Sequence, residues 1–388
     1  MHYTRYIVLI LITMLSVADN FAQKKTPAIH WNRAGEIPPL AGQNASLGVA
    51  GPVAGVDGKI IVVAGGANFP DSMPWEGGHK KYYNNIYLFQ KKAGQLITLK
   101  TDVALAENIA YAACCSTPKG VLYAGGENET GLSDKVFLLK WNDAVKNVVT
   151  EKLPALPYAV TNAAAASYNN IVFIAGGEGR NNVSRKCWSI DLNNTVSGWK
   201  ELAQLPQPVS HAVLVTLESA GVLKLYLIGG RNKTASGISE LYNTVYELSP
   251  GQEQWKELPV LPYALSAGTG AAYGTSGIFL FGGDRGTTFT KVETCIAAIN
   301  KATNDREKQE LTRQKNQLLE SHPGFSKEIL YYNINSGRCL SAGFMPYPVP
   351  VTTTAFWWKK SVVIPGGEVK AGVRTPQVLI ATIKRRVQ

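Results

Sequence analysis

Two residues near the end of the 388-residue sequence are spaced for chemistry. Glu368 follows directly on Gly366-Gly367, and Arg374 comes six residues later, in Val362-Val363-Ile364-Pro365-Gly366-Gly367-Glu368-Val369-Lys370-Ala371-Gly372-Val373-Arg374-Thr375. An apolar run that ends in paired glycines reads as a strand entering a tight turn, because glycine tolerates positive φ. Gly372 permits a second turn before Gln377-Val378-Leu379-Ile380 resumes strand character. The carboxylate and the guanidinium are then expected to face one another across one loop. A carboxylate can accept a proton, and a guanidinium fork can hold an anion through two parallel hydrogen bonds. A base beside an anion holder is the chemistry these two types and this spacing suggest.

The elements that must position them repeat along the chain. Five more Gly-Gly pairs that close apolar runs, at 65–66, 125–126, 176–177, 229–230 and 282–283, precede the last, with spacings of 60, 51, 53, 53 and 84 residues. Each closes an apolar run such as Ile171-Val172-Phe173-Ile174-Ala175, and none carries the Glu and Arg at the same spacing. A polar loop follows, then an alternating strand such as Asn243-Thr244-Val245-Tyr246-Glu247-Leu248, then a Trp-led strand such as Trp255-Lys256-Glu257-Leu258. Small-residue strands, Asn162 to Ala166 and Gly268 to Ala272, come next and are slender enough to crowd a central axis. This unit resembles the kelch repeat, four antiparallel strands per blade, and six pairs imply an all-β, six-bladed kelch β-propeller.

The blade count closes in one way. The last unit holds three strands, Thr352 to Trp357, Ser361 to Pro365 and Gln377 to Ile383. Its missing Trp-led strand stands at the other end of the chain as His30-Trp31-Asn32-Arg33-Ala34. Pairing the two termini closes the ring and covers sheet edges that an open ring would expose. The long spacing before the last pair contains a helical insertion at about 289–322. Val292, Cys295, Ile296 and Ile299 fall there at i, i+3, i+4 and i+7, the signature of one helix face. The insertion and the long loop from Gly66 to Tyr83 both belong on the rim that bears the glycine pairs.

Composition sets the outer limits. Residues 1–22, with His2 and Arg5 ahead of an apolar run from Tyr6 to Val17, have the layout of a secretory signal. That leaves 23–388 as a single propeller, periplasmic or secreted and free of the membrane after cleavage. A net charge of +11 could serve nucleic acid, anionic lipid or a small anionic ligand. The basic residues are scattered rather than striped, and export argues against nucleic acid. Five cysteines without a C-x-x-C or histidine cluster imply neither a disulfide framework nor a metal site.

Asn68, Glu127, Glu178, Arg180, Arg231, Asp284 and Arg285 all lie just past a glycine pair and so on the same face as Glu368. Asn68, Arg180 and Arg231 join Arg374 as expected ligand contacts. His79 and His211 are weaker acid–base candidates.

With the blades laid out, the chain resembles the kelch-type N-acetylneuraminate epimerases, the sialic acid mutarotases. The resemblance rests on Gly367-Glu368-x-Lys370-x-Gly372-x-Arg374-Thr375, on the helical insertion in the preceding blade, and on Lys80-Lys81-Tyr82-Tyr83 in the following one. The circular order matches a cyclically permuted branch, in which the Glu–Arg blade falls last. It implies Glu368 as proton acceptor, Arg374 as its catalytic and substrate-binding partner, a sialic acid as substrate and no cofactor. The alternative is a non-catalytic propeller that binds glycans or proteins, since fold alone does not assign function. The two differ in whether Glu368 stands in a closed, arginine-containing pocket or on an open rim.

Overall fold

The computed structural model describes residues 26–40, 43–92 and 95–384, so the expected signal segment lies outside the described residues. Six four-stranded antiparallel sheets are arranged as a six-bladed β-propeller. The run before each glycine pair forms the second strand of its blade. In blade one this is Ile60–Ala64, buried at every position. Because side chains alternate across a strand, its two faces enter different cores. Ile61 and Val63 pack with Val363, Val378 and Ile380 of blade six. Ile60, Val62 and Ala64 pack with Cys114, Val121 and Tyr123 of blade two. A continuous apolar run is therefore what a strand sandwiched between two blades requires.

The ring closes through its termini. Ala28–Glu36 pairs antiparallel with Gln377–Lys384, with Trp31 opposite Ala381 and a register shift between Arg33 and Gly35. It is the outermost strand of blade six, whose order then runs inward through Ser361–Pro365 to Phe356–Trp358. Trp31 meets Phe281 of blade five edge to face, with centroids 5.6 Å apart. The innermost strand is shorter than the expected Thr352 to Trp357. Thr352 does not join it, because it is used at the axis instead.

At the axis each blade contributes one residue to a closed ring of backbone hydrogen bonds. The N–H of Tyr111 donates to Gly51, Asn162 to Tyr111, His211 to Asn162, Ala267 to His211, Thr352 to Ala267 and Gly51 to Thr352, all at 2.7–3.0 Å. All six have φ between 50° and 63°. For the five that are not glycine this left-handed conformation costs about 1–2 kcal/mol each. The hydrogen bonds and the packing of six blades hold them there, so the floor of the propeller mouth is rigid backbone.

Two helices, α1 (Thr287–Lys301) and α2 (Asp305–Glu320), follow the glycine pair of blade five. The expected apolar face of α1 is only partly used: Ile296 is 43% exposed, while Glu293 is buried. Glu293 accepts from the Ser239 N–H at 2.7 Å and the Ser239 hydroxyl at 2.9 Å. That pairing makes the burial of a carboxylate tolerable and pins α1 to blade four. All five cysteines are free thiols. No helix among the described residues is long and apolar enough to cross a membrane.

Candidate active site

The residue directly after each glycine pair bridges to the residue just before the axis ring, in every blade. The pairs are Ala50 with Ala67, Ala110 with Glu127, Thr161 with Glu178, Ser210 with Arg231, Ser266 with Asp284 and Val351 with Glu368. Five of these six positions carry a charge, and all five line one cavity of about 470 Å³ over the axis ring. Blade one has Ala67 at this position. Its long loop supplies Phe69, Trp75 and Lys80 to the cavity instead.

The roof is built by the two rim insertions. Thr288, Phe289 and Val292 come from α1, Leu319 from α2, and His322 and Phe325 from the segment beyond. The Asn316 side-chain amide of α2 donates to the Trp75 carbonyl at 3.4 Å, joining the insertion to the blade-one loop. The same loop packs on Gly372: a Cβ there, at φ +73°, would sit 3.2 Å from both Met73 Sδ and the Trp75 ring. The glycine thus provides both the turn and the close approach.

Glu368 and Arg374 are direct cross-strand partners in the blade-six hairpin Glu368–Lys370 and Val373–Arg374. Gly367, at φ +105°, starts this hairpin; a Cβ there would lie 2.7 Å from the Val351 carbonyl. Glu368 Oε1 accepts from the Gly372 N–H at 2.9 Å and lies 3.0 Å from Arg374 Nη1. Oε2 receives no hydrogen bond from the described residues. The Arg374 side chain is 5% exposed and its carbon Cζ stands 5.1 Å from the Phe69 ring centre. Its Nε and Nη1 have no aligned hydrogen-bond acceptor, despite the short contact to Glu368. A buried guanidinium with idle donors is costly, and an anionic ligand would satisfy them.

A second cation stands in the same cavity. Arg231 Nη2 is 3.5 Å from Glu178 Oε1 and 3.4 Å from His211 Nε2, and its guanidinium lies 4.5 Å from the Phe289 ring centre. His211 Nδ1 is 3.3 Å from Glu178 Oε1. Burial and the Arg231 charge push the imidazole below its ordinary range, so the neutral ring carries its proton on Nδ1, toward the carboxylate, and accepts at Nε2. Burial alone would raise the Glu178 carboxyl. The hydrogen bond from His211, the Arg231 charge and the Ser210 hydroxyl outweigh it and hold the group well below the usual carboxylate range. Lys80 makes the third pair, 3.2 Å from Glu127 Oε1. Among the described residues no three His, Cys, Asp or Glu side chains converge as a metal-ligand set.

Residues 153–388, more than half of the chain, match the family profile described as N-acetylneuraminate epimerase. The chain belongs to the N-acetylneuraminate epimerase family. It is 36% identical over 131 residues to the N-acetylneuraminate epimerase of Brucella melitensis, covering 31% of this chain and 32% of that protein. It is 26% identical over 231 residues to that of Haemophilus influenzae, covering 58% and 57%, and 28% identical over 239 residues to that of Pasteurella multocida, covering 59% and 58%. The chain thus spans about a third to three-fifths of the length of these curated relatives.

Within this epimerase-family fold the sequence-expected residues separate cleanly. Glu368, Arg374 and Arg231 meet in the cavity. Asn68 does not: it is 4% exposed and serves as a strut, its amide donating to the Gly48 carbonyl and its oxygen accepting from the Tyr83 hydroxyl. Arg180 is exposed at the tip of the blade-three turn, outside the cavity lining, and His79 is exposed as well. Arg285 turns outward to Glu328 at 2.9 Å. Alternation explains most of the sorting. The first residue past each glycine pair faces the mouth and the second faces away, while Arg180 lies in the turn beyond, where the Gly179 N–H closes onto the Asn182 carbonyl at 2.8 Å and strand alternation no longer applies. His322 was not singled out in the sequence. Its only local signal is the His322-Pro323-Gly324 helix stop.

Proposed function

We propose that the protein interconverts the α and β anomers of N-acetylneuraminate or a related sialic acid. The observation that carries this reading is the pairing, in one roofed cavity, of an open carboxylate oxygen on Glu368 with idle, buried guanidinium donors on Arg374. The family membership and the printed names of the relatives support it. The cavity volume also falls in the range of small-ligand pockets, about 300–1,000 Å³.

In this reading Arg374 takes the sugar's carboxylate through its fork, which a lysine ammonium cannot imitate, and brings the anomeric carbon beside Glu368. Glu368 accepts the anomeric hydroxyl proton, the ring carbon–oxygen bond opens to a 2-keto chain, and rotation about the next carbon–carbon bond presents the other face for reclosure. No redox change or group transfer occurs, so no cofactor is needed. Arg231, held by Glu178 and His211, is a second polar contact for the ligand. The N-terminal segment 1–22 is the export signal in this reading, which places the enzyme in the periplasm or outside the cell.

NMR of freshly released α-N-acetylneuraminate tests this directly. The protein is expected to hasten the approach to the β anomer, and Glu368→Gln to slow the exchange by ~10²-fold or more while folding and binding persist, the usual scale of general-base loss. Unchanged exchange in a folded Gln variant would assign the base elsewhere.

A further inference from the structure

Opening the sugar ring places negative charge on the departing ring oxygen, and in the reading above Arg374 is committed to the sugar's carboxylate while Glu368 is still taking the anomeric proton as that charge develops. Lys80 is paired with Glu127, and Arg231 is held by Glu178 through Nη2, with only its Nε left buried without an acceptor. One further donor is poised in the cavity. His322 ends α2, its N–H reaching the Leu319 carbonyl at 3.3 Å before Pro323 stops the helix. Its Nδ1 accepts from the Gly324 N–H at 3.0 Å. A ring nitrogen that accepts cannot carry the proton, so the neutral imidazole bears it on Nε2.

The ring is 8% exposed and packs against Phe325 with centroids 5.1 Å apart, which fixes its orientation. Nothing among the described residues partners Nε2, and His322 lines the same cavity as Glu368. The turn sits on the blade-six hairpin: a Cβ on Gly324 would lie 3.3 Å from the Val369 carbonyl, next to Glu368. The charges acting on the imidazole are the Asp284 and Glu368 carboxylates, which favour its protonation, and the Lys370 ammonium, which opposes it. Burial is the strongest influence and keeps the ring neutral near pH 7.

We propose that His322 is a catalytic residue of this site, its Nε2–H donating to the ring oxygen as the carbon–oxygen bond breaks. The inference rests on the anomer-exchange reading above. The step balances without a net proton on histidine. Glu368 takes the anomeric hydroxyl proton, and that O–H pair becomes the second bond of the 2-keto group. The ring carbon–oxygen pair goes to the ring oxygen, stabilised by the His322 N–H, and this oxygen receives the proton back from Glu368. Reclosure reverses each transfer on the other face. A neutral imidazole acting as an electrophile in this way is chemically sound, because a fixed donor needs no reorganisation as charge develops.

The test is anomer exchange by NMR in His322→Phe, which keeps a ring but no donor, and His322→Gln, which keeps an N–H. Losing a donor aimed at developing charge lowers kcat ~10²–10³-fold, so the Phe variant is expected to fall on that scale with KM within about threefold, and Gln to recover about tenfold or more of it. A folded Phe variant with the parent's kcat, or a loss confined to KM, would overturn the proposal. Should Phe fail to fold, nitrogen-15 histidine spectra of the parent decide. The Nε2–H signal of His322 must shift on saturation with N-acetylneuraminate, and an unshifted signal overturns the assignment. A parent that exchanges no anomers overturns the functional reading and this inference together; an active parent indifferent to His322→Phe overturns the inference alone.

Discussion

Glu368 and Glu178 occupy the same position of their blades, one residue past the glycine pair, with the same backbone bridge behind them. Their surroundings make them different reagents. Glu178 Oε1 collects the Ser210 hydroxyl at 2.8 Å, His211 Nδ1 at 3.3 Å and Arg231 Nη2 at 3.5 Å. A carboxylate so surrounded stays ionised and is a poor proton acceptor, but it anchors a cation well. Glu368 receives one backbone N–H, and its cation approaches from its own hairpin without an aligned hydrogen bond. Its second oxygen stays open to the cavity. Equivalent backbone positions thus yield a carboxylate with an open oxygen in one blade and a saturated, cation-anchoring one in another, and the partners around each decide which.

The largest effect that could break this contrast is on turnover. Glu368→Gln is expected to lose ~10²-fold or more in kcat, whereas Glu178→Gln should lose less than about tenfold and mainly raise KM by loosening Arg231. Equal losses in kcat would mean that both carboxylates share the proton transfer.

Next in size is the binding loss on Arg374→Lys. An ammonium cannot form two parallel bonds to a carboxylate, so KM should rise about tenfold, with the fold retained. Calorimetry showing that the parent binds the sugar acid and its methyl ester equally well would remove Arg374 from the role of anion holder.

A smaller effect is the pH dependence of stability, which the anchor cluster should dominate. His211 in the fold lies below its unfolded value of about 6.5, so the unfolded chain binds the proton first and stability falls as pH drops below that value. Glu178 is likewise depressed below its unfolded value of about 4.3, so its contribution is intact above that pH and is lost as pH falls further. Tm measured from pH 7 to 3 should therefore decline in two stages. His211→Asn, chosen because asparagine accepts the left-handed backbone, should flatten the upper stage, and Glu178→Gln the lower. An unaltered profile in both variants would show the cluster to be electrostatically idle. The smallest expected effect is that of Arg180→Ala, with KM kept within about twofold, as for a surface change away from the site. A large rise in KM would contradict the position of Arg180 in the exposed blade-three turn, outside the cavity.

How much of this was legible in sequence follows from the range of the forces involved. The glycine pairs, the apolar runs before them and the hairpin joining Glu368 to Arg374 are all local. A six-residue loop with Gly372 at its turn can be read where it stands, because backbone conformation and strand alternation act over a few residues. Closure by the Trp31 strand was also legible, since a blade lacking one strand and a strand lacking a blade have one economical pairing. The sorting of Asn68 from Arg231 was less so, although both follow a glycine pair. Only a count of one residue against two separates a buried strut from a cavity cation.

What the tertiary structure alone decided are the meetings between blades. Glu178, His211 and Arg231 are neighbours because the axis ring draws the inner ends of blades three and four together, and nothing in 53 residues of separation encodes that contact. His322 is the extreme case. It becomes a donor beside Glu368 only because two helices fold back over the mouth, Gly324 settles on Val369 and the Gly324 N–H claims Nδ1. Sequence spacing constrains a side chain through its own backbone. Burial, tautomer and the partner across the cavity are set by whatever the closed ring brings near, and those distances exist only once the ring has closed.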